Sequence, residues 1–206
     1  VPINTPVKPP AVETAPTPVA TPAKPPEQVK PPVLPIEENK VVASLATLKD
    51  IESQRNPKRV VDVKLARPAL RIGKDALDMQ VKSNHDGYLY MILLGSDAKS
   101  FYVLYPNGLD RDNLIKAGKA VTFPKPDWQI KASGPEGVDQ ILVMVSDSPR
   151  KLDGLAMAAP TAAEPFTYAL NDIGGRSALI DFLIGSGVNG KSESFGAKIV
   201  SVREMK

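Results

Sequence analysis

The chain contains no cysteine, which excludes disulfides, thiolate metal sites and cysteine nucleophiles. It has one histidine, His85, so a Ser-His-Asp-type site has a single candidate base. No apolar run approaches the roughly 20 residues of a membrane span, and the start lacks a charged segment followed by an apolar one. Charge of one sign is also scarce. The formal net charge is +3 over 206 residues, too little to imply a polyanionic partner. The densest basic stretch (Arg55, Lys58, Arg59, Lys64, Arg67, Arg71, Lys74) has no interleaved aromatics, so no nucleic-acid partner is expected. There Val61, Val63 and Leu65 alternate with Asp62, Lys64 and Ala66, which puts Lys64 on the wet face of a strand. An anionic envelope polymer or lipid surface stays open as a partner for the other basic residues.

What is abundant is proline, and it is unevenly placed. Twelve of the 21 prolines fall in the first 35 positions. Proline fixes φ and removes a donor, so residues 1–36 read as a disordered, extended, partly polyproline-II linker. Fully extended, it would reach about 110 Å. A chain starting at Val1 inside such a spacer is read as a processed or truncated product, with a membrane anchor expected upstream. Residues 37–206 suit one domain with a real core.

After Pro35 the pattern changes. Glu37 and Glu38 suit a helix N-terminus, and Val41, Leu45, Leu48 and Ile51 follow at helical spacing until Pro57. Strands are expected at Val60–Leu65 and through Leu77, Met79 and Val81. The two runs Tyr88–Leu94 and Phe101–Tyr105 form a buried hairpin. Both parities are apolar in each run, so each face must be covered by a second sheet or a helix. Further strands are expected at Lys119–Phe123, Trp128–Lys131, Gln140–Ser146 and Ala197–Val202, separated by Pro- and Gly-containing turns. Residues 150–165 read as a long connection. A second helix is expected at Arg176–Ile184, capped by Gly185. The predicted class is mainly β (α+β): an antiparallel β-sandwich-like or open-barrel domain with two flanking helices.

Several constellations are weaker than they look. Gly185–Gly190 matches GxGxxG, but a helix precedes it and only 16 residues follow. A dinucleotide site needs a strand before and a helix after, so this is a loop. His85 lies in the turn-forming run Ser83-Asn84-His85-Asp86-Gly87, and no GxSxG elbow is present. Asp110-Arg111-Asp112-Asn113 faintly resembles a calcium loop, but its twelfth position is Val121, not a carboxylate; capping by Asp112 and Asn113 fits better. Kinase signatures (HRD, DFG, a VAIK-like lysine) are absent. No catalytic residue, cofactor or metal is therefore assigned. Among the aromatics, Phe101 and Tyr90 read as core. Tyr105, Asn107 and Trp128 lie near strand ends and loops, where exposure would make them binding residues.

The succession GYLYMILLG, SFYVLYPN, DNLIKAGKAVTFP and WQIKASGPEGVDQILVMVS resembles a bacterial domain of unknown function found downstream of serine/threonine kinase-like and caspase-like domains. The likeness spans about Val60–Pro149 (core 60–149), carried by YPN, the Asn113–Gly118 turn and GPxG…S. The helix around Leu48–Gln54 and SFGAKIVSVRE, within a C-terminal part at 166–206, look like the extracytoplasmic ends of proteobacterial kinase-like proteins. The resemblance implies topology rather than a reaction, with the proline-rich spacer following a transmembrane helix.

The expectation is a non-catalytic, periplasmic or cell-envelope binding or sensor module of a membrane-anchored signalling protein. Its partner would be an envelope protein or a cell-wall or small-molecule ligand. The alternative is a structural or accessory part of an envelope or secretion assembly. A cell-wall hydrolase ranks third. It would need a cleft with paired carboxylates of perturbed pKa, for which Asp110, Asp112, Asp147 and Asp153 are unpaired candidates.

Overall fold

A computed structural model describes residues 36–150, 165–169, 179–181 and 194–206. Residues 1–35 of the proline-rich linker, residues 151–164 of the connection (Asp153 among them) and the Gly185–Gly190 loop lie outside the described residues, as does most of the second predicted helix. Of that helix Leu179–Asp181 is described and helical, with Leu179 buried.

The architecture is mainly β. Helix α1 (Ile36–Ser53) is followed by β1 (Val61–Leu65), β2 (Ala69–Arg71), β3 (Met79–Ser83), β4 (Gly87–Leu94), β5 (Phe101–Tyr105), β6 (Leu114–Ile115), β7 (Ala120–Phe123), β8 (Gly137–Ser146), β9 (Thr167–Ala169) and β10 (Phe195–Met205). They form two open sheets. The small one runs β1-β3-β7 and the large one β2-β10-β8-β4-β5-β9, with β6 pairing to β4. All pairings are antiparallel except β2 with β10, which is parallel. With that single exception the arrangement matches the expected mostly antiparallel β class. The expected strand at Trp128–Lys131 does not form. It makes one isolated bridge, Ala76 to Lys131, and otherwise runs as irregular chain hydrogen-bonded to residues 73–77.

The apolar parity of β4 and β5 is explained by layers on both sides. Leu89, Met91, Ile141 and Val143 face the small sheet and pack with Val81 and Phe123. Tyr90, Ile92, Leu142 and Met144 face the other way and pack with Phe101 and with Leu48 and Ile51 of α1. The helix also closes an edge: the Glu52 carboxylate accepts the Ile199 N–H of β10 at 2.9 Å, so that amide is not left unpaired. A bulge shifts the β4–β5 register between Met91 and Ile92. It turns Tyr105 toward the inter-sheet core, against the alternation that sends Phe101 and Val103 toward the helix.

Candidate functional site

The paired strands β8 and β10 bring two acids together. Asp139 sits opposite Val202, and Glu204 opposite Gly137. Asp139 shares the parity of Ile141, Val143 and Val145, and Glu204 that of Val202, so both carboxyls point with the inter-sheet core. They are diagonal neighbours at the end of that core. The glycine opposite Glu204 matters. Gly137 has φ +155°, and a Cβ there would come within 2.8 Å of the Ser96 Cβ, so the β4–β5 turn can approach the start of β8 only at a glycine.

Both acids line a cleft of about 310 Å³, at the lower end of small-molecule sites. Its walls combine apolar side chains, Leu70, Leu93, Leu104, Ile141, Val202 and Phe166 among them, with polar ones such as Ser96, Ser100 and Tyr102. Its rim includes Lys131, Ser133 and Pro135, all exposed, so the cleft reaches solvent. Each acid is only 8% exposed. The Gly134 N–H donates to Glu204 Oε2 at 2.5 Å. Burial pushes the Asp139 carboxyl up, to about 7. The charge of Glu204 and a hydrogen bond between the two side chains push the same way, against the backbone N–H of Ser96. Asp139 therefore holds its proton close to neutrality. Nearby Asp97 behaves differently. Burial works against its charge, yet the Ser100 hydroxyl and the N–H groups of Lys99 and Ser100 hold it below the usual carboxylate range.

The three residues named from sequence for binding are elsewhere, and they are covered. Tyr105 is 1% exposed, Asn107 2% and Trp128 5%, so the expected exposure is corrected. Tyr105 lies 4.8 Å from Phe123 and 6.4 Å from Trp128 between ring centroids, and its hydroxyl donates to the Asp112 carbonyl. Asn107 builds its own loop, donating to the Leu104 carbonyl and accepting from the N–H groups of Leu109 and Asp110. Trp128 is one ring from the cleft, edge-on to Phe166 at 5.9 Å.

The three candidate aspartates among the described residues, Asp110, Asp112 and Asp147, do not pair with one another either. Asp110 meets Lys125 at 2.7 Å and Asp147 meets Arg59 at 2.7 Å. Asp112 caps its loop by accepting from the Leu114 N–H. The carboxyl pair the sequence reading asked for exists in two residues it did not name. Strand ends placed at Gln140 and Val202 left Asp139 and Glu204 outside the alternation that would have exposed them.

Ser83, His85 and Asp147 look like a triad by distance: Ser83 Oγ to His85 Nδ1 is 2.9 Å and His85 Nε2 to Asp147 Oδ1 3.8 Å. The bonding says otherwise. The Ser83 hydroxyl donates to the His85 carbonyl and accepts the His85 N–H, and Nε2 lies 3.3 Å from the Val145 carbonyl. Burial lowers the imidazole pKa, and both residues are buried. This is a clip between the β3–β4 turn and β8. Among the described residues, no three His, Asp or Glu side chains converge as a metal site, and no helix is long and apolar enough to cross a membrane.

No curated protein matches the chain. The family model of a domain of unknown function, DUF4384, matches residues 69–149. That stretch runs from β2 through β8 and includes Asp139 and most of the cleft wall, while Glu204 on β10 lies beyond it.

Proposed function

We propose that this chain is a non-catalytic, extracytoplasmic binding or sensor module, carried on its proline-rich spacer from a membrane-anchored, serine/threonine kinase-like signalling protein. The cleft beside Asp139 and Glu204 is its ligand site. The observation that carries this reading is the cleft itself: partly apolar walls, a rim open to solvent and a convergent pair of buried polar groups at one end. The spacer composition and the absence of cysteine are consistent with an envelope setting. Trp128 is the only tryptophan and touches a cleft-lining ring, so its emission reports occupancy. A small-molecule screen of the full chain by tryptophan emission and calorimetry should find ligands that compete with one another. A chain that binds an envelope protein stably while its cleft takes no small molecule would instead be the structural component.

Cell-wall hydrolysis is favoured by one observation, the paired carboxyls with Asp139 raised. Against it, the two side chains bond each other, whereas glycosidases hold their carboxyls about 5 Å or more apart. Turnover of purified peptidoglycan that disappears in both Asp139→Asn and Glu204→Gln would establish the hydrolase and overturn the binding module.

A further inference from the structure

We propose that the cleft selects a small primary amine, an apolar body carrying an ammonium head that docks against Asp139 and Glu204. This rests on the reading of the cleft as a ligand site and adds the chemistry of its ligand. Two independent features argue for it. The first is the cavity: eight of its twenty lining residues are Leu, Ile, Val or Phe, so the part of an occupant lying against them gains by being apolar.

The second is a missing counter-charge. Among the described residues, several acids have a cation of the protein within ion-pair reach: Asp75 has Arg67 and Arg71, Asp86 has Lys116, Asp110 has Lys125 and Asp147 has Arg59, while Asp97 is held by the Ser100 hydroxyl and two N–H groups. Asp139 and Glu204 are more deeply buried than Asp86 or Asp147. Yet among the described residues no lysine or arginine pairs with either. Lys131 is on the rim and exposed. Burying carboxyls without a cation is costly, and a cationic ligand head is the partner that offsets it. The Gly134 and Ser96 N–H groups at that end already serve the acids. A carboxylate ligand would therefore meet like charge. When the ammonium enters, the Asp139 proton leaves to solvent and the ammonium takes its place, so charge and protons balance.

The test uses the full chain and matched compounds: hexylamine, hexanol and hexanoate, and phenethylamine with phenethyl alcohol. Calorimetry and Trp128 emission give the affinities. The expected result is that each amine binds at least tenfold tighter than its uncharged partner, with hexanoate weakest. Asp139→Asn and Glu204→Gln should each erase the amine preference over the matched alcohol; near-ultraviolet circular dichroism shows that each variant is folded, and either variant suffices. Amines and alcohols binding alike, or a preference that survives both substitutions, would overturn the amine assignment and leave the cleft a ligand site. Failure of all five compounds at millimolar concentration would overturn the cleft reading as well.

Discussion

Two regions of the inter-sheet core each hold a carboxylate, and they handle it in opposite ways. Beside the aromatic cluster, Asp110 meets the Lys125 ammonium at 2.7 Å, and that ammonium also lies 5.5 Å from the centroid of the Tyr105 ring. Burial works against the charge on Lys125, but its bond to Asp110 and its contact with Tyr105 raise its pKa. In the cleft, Asp139 has the Ser96 N–H and a second acid, Glu204, but no cation, and its pKa is pushed up instead. A region completed by its own cation reads as structure. A region that must protonate to stay neutral is where an outside cation would be accommodated.

The largest effect should come from breaking the completed region. Tyr105→Ala removes a ring packed on Phe123 and Trp128 and should lower unfolding stability by about 3–5 kcal/mol in urea titrations. The next tests the incomplete region. Because the Asp139 pKa is raised in the fold, the folded state keeps a proton that the unfolded chain releases. Its contribution is fully present below about pH 4 and is lost as pH rises through about 7. Asp139→Asn should therefore flatten the fall in stability between those limits and raise stability at pH 8 by on the order of 2 kcal/mol. A variant less stable than the parent at pH 8 would mean that the carboxylate is stabilised in the cleft.

Lys125→Met leaves Asp110 without its cation. The loss should be about 1–2 kcal/mol, held down because the lysine side chain is 36% exposed. A change below about 0.3 kcal/mol would erase the contrast between the regions. The smallest effect belongs to the exposed pair Lys116–Asp86, where Lys116→Ala should leave the urea midpoint where the parent has it.

Much of the fold was legible because burial on both faces leaves a direct trace. The unbroken apolar runs of β4 and β5 require a layer on each side, and the small sheet and α1 supply them. Lys64 on the wet face of β1 follows from simple alternation. Three-residue β2 and two-residue β6 leave too little pattern to read. Tyr105 escaped because a bulge breaks the alternation, and Trp128 because its cover comes from Phe166, far along the chain. The acid pair joins positions 139 and 204, which only the β8–β10 register brings together. Even so, an acid at the inward parity of a strand end was a usable signal once the strand was extended to include it.

The most direct test is a carboxyl-carbon NMR titration of the full chain with Asp139 assigned by Asp139→Asn. The account predicts that the Asp139 carboxyl still holds its proton at pH 6 and loses it near pH 7. An Asp139 already ionised at pH 5 would mean that the cleft stabilises its charge without a ligand, and would contradict the account.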